Sequence, residues 1–109
     1  MNFEHNDVEA KGIRISITDD GFEVGRAYIY LMHNDLHDRP FGLMEDVYVE
    51  ESYRGKGIGS ELVGKVIEIA KDSNCYKLIA TSRISRPKVH ELYQKLGFSQ
   101  QGFEFRIDL

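Results

Sequence analysis

Three parts of the chain carry residues suited to chemistry. Glu45 and Asp46 form a carboxylate pair inside an apolar run. The stretch YRGKGIGSEL, Tyr53 to Leu62, alternates Gly55, Gly57 and Gly59 with other residues and adds Arg54 and Lys56. Tyr93 stands on an apolar helical stripe ahead of Gly97-Phe98. Three glycines before a helix weaken both neighbouring structures, by roughly 0.5–1 kcal/mol each inside a helix or strand. They also leave a row of backbone N–H groups open at the positive end of a helix dipole, which suits a pyrophosphate. The plainer alternative is a helix start with accidental glycines.

The elements around these residues follow from periodicity. Ile13, Ile15 and Ile17 alternate with polar residues from Gly12 to Thr18, the pattern of a half-buried strand, and Asp19-Asp20-Gly21 then signals a turn. Phe22 to Met32 and Phe41 to Val49 read as two further strands around the polar loop HNDLHDRP, an antiparallel meander. The period then changes. Ile58, Leu62, Val63, Val66, Ile67 and Ala70 recur at helical steps, with a Glu61–Lys65 pair expected on the other face. Leu78 to Thr81 reads as a short buried strand. Pro87 opens a second helix whose stripe is Val89, Leu92, Tyr93 and Leu96, with Gly97 as its cap. Alternation at Phe103, Phe105 and Ile107 predicts a closing strand. The fold class is α+β, with a mixed antiparallel and parallel sheet.

Composition sets the outer limits. At 109 residues the chain is read as one domain, 1–109, with 41% hydrophobic and 29% charged residues. A net charge of −4 argues against nucleic acid as a partner and leaves room for a cationic small molecule. Cys75 is the only cysteine, so no disulfide framework or thiolate metal site is expected, and a cytoplasmic location fits. No apolar run approaches the roughly 18 residues of a membrane span, and MNFEHNDVEA is acidic rather than signal-like. No membrane partner is expected.

Spacing separates the glycine stretch from other phosphate binders. A dinucleotide fingerprint needs glycine where Ser60 stands, and the P-loop order is absent. Arg54, Gly57 and Gly59 fit Arg/Gln-x-x-Gly-x-Gly/Ala, which resembles the acetyl-coenzyme-A loop of the GNAT superfamily of N-acetyltransferases. LMEDVYVEESYRGKGIGSEL is similar to that family's strand, loop and helix, and VHELYQKLGF to its tyrosine-bearing helix followed by Gly-Phe. Within the superfamily, the Glu-Asp strand is most similar to the diamine (spermidine/spermine) acetyltransferases.

The resemblance implies roles by position. The backbone at Val47, Tyr48 and Val49 would bind the pantetheine arm like an added strand. The N–H groups of Arg54, Gly55, Lys56, Gly57, Ile58, Gly59 and Ser60 would hold the pyrophosphate of acetyl-CoA. Tyr93 would protonate the departing thiolate and Glu45 would take the proton of the amine, with no metal. A primary amine of pKa 10.4 is only about 0.1% neutral at pH 7.4, a deficit of roughly 4 kcal/mol that a positioned base reduces.

Structural alternatives stand beside these roles. Glu45 reads equally as a solvated strand residue, Tyr93 as a core aromatic, and Asp46 as either a polyamine-steering or a water-facing group. His33 and His37 have metal-ligand spacing only on a helix, and their stretch reads as a loop. His90 reads as a surface residue and Cys75 as a small hydrophobe. Arg83, Arg86 and Lys88 meet a nucleotide phosphate or stay solvated. Two departures from the family pattern stand out: Arg86 replaces a usual Asn and Val89 a usual Ala, and only about a dozen residues precede Ile13. The N-terminal strand and helices that wall the acceptor pocket are therefore expected to be largely missing. Either a second subunit completes the pocket, making a homodimer, or the site accepts a protein amine as readily as a small one. The leading function is transfer of acetyl to a primary amine by direct attack in a ternary complex. The alternative is a non-catalytic acyl-CoA-binding module or sensor.

Overall fold

A computed structural model describes the whole chain, Met1–Leu109. The isoleucine alternation builds strand β1, Ala10–Asp19, which pairs antiparallel with β2, Phe22–Met32. Asp20 and Gly21 join them with φ of 52° and 84°, the two positive angles that a right-twisted two-residue hairpin requires. Strand β3, Phe41–Val49, continues the meander on the far side of β2. Helix α1, Ile58–Asp72, then crosses to β4, Leu78–Ala80, which lies parallel to β3. The sheet order is β1-β2-β3-β4, and helix α2, Pro87–Lys95, follows it. The mixed α+β architecture is as expected.

The core forms where α1 meets one face of the sheet. Leu62, Val63, Val66 and Ala70 of the helix pack with Ala27, Ile29 and Met44 of β2 and β3, and no polar or charged residue is buried. Burying each large side chain contributes about 1.5–3 kcal/mol, which makes this layer the main support of the fold. At Gly42 a side chain would stand 2.9 Å from Leu78 Cδ1 and 3.2 Å from Ile29 Cδ1, so glycine lets β4 close onto β3. Helix α1 ends with Asn74 at φ 61°, where Cys75 N–H donates to the Ala70 carbonyl and Asn74 N–H to that of Lys71. This Schellman ending turns Cys75 onto the core. Burial raises the thiol pKa and Arg39 opposes it, so Cys75 is the packing residue its sequence context suggests.

Two expectations are corrected. Residues 98–109 contain no strand, and Phe103, Phe105 and Ile107 lie exposed. Alternation encodes a two-faced segment, but a strand forms only beside a partner, and no sheet edge lies against this one. Lys65 pairs with Glu68 at 3.3 Å rather than with Glu61. Both choices are solvent-exposed helix pairs worth a few tenths of a kcal/mol, so little energy separates them.

Two glycine substitutions should move stability in opposite directions. Gly42→Ala should cost about 1–3 kcal/mol by overpacking the β3–β4 contact. Gly64→Ala, inside α1 with open space around it, should stabilise by roughly 0.5–1 kcal/mol. Urea midpoints of the two variants measure both; equal shifts would contradict the packing described.

Candidate active site

The site begins where β3 loses a neighbour. Its pairing with β4 runs through Gly42↔Leu78, Leu43↔Ile79 and Met44↔Ala80 and then stops. From Glu45 to Val49 the backbone of β3 has β2 on one side and no strand on the other. The same stretch carries a bulge: Tyr28 faces Glu45 but Arg26 faces Tyr48, so Asp46 and Val47 together oppose Ala27. Asp46 takes φ 51° there, a left-handed angle that Asp tolerates better than most residues. The extra residue changes which side chains share a face. Met44 and Val47 join the core beneath α1, while Glu45 and Tyr48 stand together on the opposite face beside Tyr28 and Arg26.

The glycine loop follows. A short 3-10 turn, Glu51–Tyr53, leaves β3, and the Tyr53 hydroxyl donates to Asp19 Oδ2 at 2.7 Å, tying the loop to the β1–β2 turn and raising the phenol pKa. Arg54 Nε donates to the Val49 carbonyl at 2.9 Å, and its guanidinium rests 5.5 Å from the Tyr48 ring centre. That guanidinium is turned back against β3, where it braces the loop. Lys56 lies 5.3 Å over the Tyr53 ring. Gly55 and Gly57 have φ of 79° and 83° with open space around them, so their conformation alone calls for glycine. Gly59 differs: its angle is ordinary, and a side chain there would meet only Leu92 Cδ2 at 3.9 Å.

Gly57 is the N-cap of α1, and no side chain caps it. The first intrahelical bond is donated by Glu61 N–H to the Gly57 carbonyl. The N–H groups of Gly57, Ile58, Gly59 and Ser60 therefore have no acceptor within the helix, at the positive end of its dipole. This open donor row lies directly beyond the unpartnered edge of β3.

Tyr93 reaches the same region from α2. Phe98 N–H donates to the Tyr93 carbonyl at 3.0 Å and Gly97 N–H to that of Gln94 at 3.1 Å, with Gly97 at φ 105°. This is a second Schellman ending, and it folds Phe98 onto Tyr93, ring centres 5.3 Å apart. The Tyr-x-x-x-Gly-Phe spacing thus fixes the tyrosine ring. Tyr93 also packs against the core, and burial raises its pKa, with the Glu45 charge adding to the rise. Glu45 and Tyr93 come from separate elements, and the link between them is the carboxylate charge that adds to the rise of the phenol pKa.

Other candidates fall elsewhere. His33 Nε2 bonds the His37 carbonyl oxygen at 2.7 Å, and no cluster of three His, Cys, Asp or Glu side chains forms. Two surface hollows lie against His33, Asn34 and Val8, at the end of the sheet away from the glycine loop. Arg86 is exposed at the N-cap of α2. His90 proves to be half-buried, its Nε2 bonded to the Arg83 carbonyl oxygen at 2.8 Å, which ties α2 to the loop before it. Arg26, 4.9 Å over the Tyr48 ring, was invisible in the sequence because only the bulge puts the two on one face. No helix is long and apolar enough to cross a membrane.

Known proteins share this arrangement. The profile of the Acetyltransferase (GNAT) family matches residues 4–98. The chain is 41% identical over 71 residues to glucosamine 6-phosphate N-acetyltransferase of Trypanosoma brucei brucei, covering 65% of this chain and 46% of that enzyme. It is 36% identical over 74 residues to thialysine N-epsilon-acetyltransferase of Bos taurus, covering 68% of this chain and 43% of that enzyme. It thus covers less than half the length of either relative. A crystal structure of a Trypanosoma brucei acetyltransferase superposes with a TM-score of 0.82 at 32% identity, over 90% of this chain and 69% of that one. The profile spans the unpartnered strand, the glycine loop and the tyrosine helix alike, and the chain belongs to the GNAT family of acetyltransferases.

Proposed function

We propose that the protein moves the acetyl group of acetyl-CoA to a primary amine by direct attack in a ternary complex. The observation that carries this reading is the end of β3–β4 pairing at Met44 and Ala80, directly beside Glu45 and ahead of the uncapped start of α1. An extended pantetheine arm fits the vacant side of β3 as an added strand along Val47, Tyr48 and Val49. Its pyrophosphate then meets the N–H groups from Gly55 to Ser60, the Arg54 N–H being already donated to the Glu51 carbonyl. Family members use acetyl-CoA as co-substrate, which agrees with this placement.

The chemistry follows from the side chains at hand. Glu45 accepts a proton from the bound ammonium, and the freed nitrogen attacks the thioester carbonyl carbon. The carbon–sulfur bond breaks, Tyr93 donates its proton to the departing sulfur, and the second proton of the acylated nitrogen passes to the phenolate and restores it. Tyr93, whose phenol pKa burial pushes further above neutrality, carries its proton at neutral pH. The acceptor is a small amine or a protein amine. The relatives' named acceptors, glucosamine 6-phosphate and thialysine, are the first compounds to try.

The test is thiol release from acetyl-CoA across a panel of amines, with binding followed by calorimetry. Tyr93→Phe should lower kcat by about 10²-fold or more while leaving acetyl-CoA affinity unchanged. Glu45→Gln should lower the rate most at neutral pH and recover as pH rises toward the amine pKa of roughly 10.4, where the neutral amine no longer needs a base. Unchanged turnover in Tyr93→Phe would refute the acid role. Binding without release across the whole panel would favour the acyl-CoA-binding module.

The bulge offers a separate check. Asp46→Val should cost roughly 1–3 kcal/mol, because a β-branched residue resists the left-handed angle, whereas Asp46→Gly should fold as well as the parent. Urea denaturation of the two variants decides it, and equal stability would mean the bulge is not held by residue 46.

A further inference from the structure

Arg26 is a charge that the proposed chemistry leaves unused. It stands two residues from Tyr28 on β2, on the sheet face that also carries Glu45 and Tyr48. Its guanidinium carbon lies 4.9 Å over the Tyr48 ring, and it enters none of the ion pairs of the chain. Arg54 reaches the same ring from the glycine loop at 5.5 Å, and no carboxylate pairs with it either. Stacking on a ring occupies the flat face of a guanidinium and leaves its N–H edge free to donate. Half-buried, the Arg26 side chain is held in place and still open to a ligand.

The other arginine of this face is fully used. Arg14 donates to both carboxylate oxygens of Glu23, at 2.6 and 2.9 Å, and through Nε to the Tyr28 hydroxyl at 3.0 Å. The Glu23 pKa is lowered first by the Arg14 hydrogen bond and last by the charge of Arg26, so that carboxylate belongs to Arg14. Tyr28 is pinned by the same arginine, with a charge of each sign beside it. Glu45 faces it across the strand pair, and Arg26 follows it along β2. Glu45 and Arg26 are therefore diagonal neighbours, about 7–8 Å apart across an antiparallel pair.

Building on acetyl transfer to an amine, we propose that the acceptor also carries an anionic group, phosphate or carboxylate, and that Arg26 binds it. The proposal rests on that transfer taking place at Glu45. The ammonium of the acceptor meets Glu45, its anion meets the free edge of Arg26, and the body between them crosses the Tyr28 ring. A guanidinium takes either anion through two parallel N–H bonds, which fixes direction as well as position. Holding the far end in this way sets the nitrogen beside its base. A polyamine fits the same face badly, because its second ammonium would meet two arginines and no free carboxylate. The net charge of −4 belongs to the whole chain, and this face is locally the reverse.

Four matched primary amines test the assignment: aminobutyl phosphate, aminopentanoate, aminobutanol and diaminobutane, with thiol release from acetyl-CoA followed at neutral pH. The better anionic amine should exceed aminobutanol and diaminobutane in kcat/KM by roughly tenfold or more, and the two anionic amines show whether phosphate or carboxylate is preferred. Arg26→Gln should bring that ratio close to one, chiefly through KM. Arg26→Glu should reverse it in favour of diaminobutane, which a merely structural role for Arg26 would not do. Arg26→Lys, which keeps the charge without the fork, should retain part of the preference. Acetyl-CoA affinity by calorimetry should stay that of the parent in all three. A parent that treats the four amines alike, or prefers diaminobutane, overturns the proposal and leaves acetyl transfer standing. So does an Arg26→Gln variant that binds acetyl-CoA more weakly and keeps the preference, which would assign Arg26 to the coenzyme. Bound coenzyme with no release to any of the four would remove the transfer and the proposal together.

Discussion

The arrangement of this molecule depends on one strand having its second partner for only three of its nine residues. Between Gly42 and Met44, β3 is held on both sides, by β2 and by β4. From Glu45 on it is held by β2 alone, and its other row of N–H and C=O groups is left for something else to satisfy. The bulge at Asp46 coincides with that change and turns Glu45 and Tyr48 to the same face. An open strand edge of backbone donors and acceptors, with a carboxylate at one end and an uncapped helix at the other, is the result.

Everything else keeps that opening from closing. The α1 core clamps β2 and β3 from beneath through Leu62, Val63 and Val66. Gly42 lets β4 come close where pairing is required. Arg54 and Tyr53 secure the loop at both ends, one to the Val49 carbonyl and the other to Asp19. The C-terminal turn of α2 folds Phe98 against Tyr93, so the phenol is held by packing rather than by a hydrogen bond. A rigid surround for an open strand edge is what a bound extended arm demands.

Features encoded by local backbone chemistry were legible in the sequence. Gly55 and Gly57 announce positive φ, Gly97-Phe98 announces a helix ending, and the isoleucine alternation of β1 announces a one-sided strand. Features that depend on a partner were not. Asp46 looks like any polar strand residue, and only the register against Ala27 shows it as a bulge. Arg26 and Tyr48 become neighbours through that same bulge. The 103–107 alternation was read as a closing strand because periodicity specifies two faces but not whether a neighbour exists. The charge at Arg54 was visible, but its turn back toward Val49 was not, since a long side chain settles only once the loop is built.

The most direct measurement is of the backbone itself. Amide resonances of the nitrogen-15-labelled protein should be followed as acetyl-CoA is added. If the coenzyme lies along the free edge of β3, the largest shifts fall on Val47, Tyr48 and Val49 and on the loop amides from Arg54 to Ser60. Residues of β1, two strands away, should barely move. Shifts concentrated at the other end of the sheet, around His33 and Phe41, or none at saturating coenzyme, would contradict the free edge of β3 as the binding site.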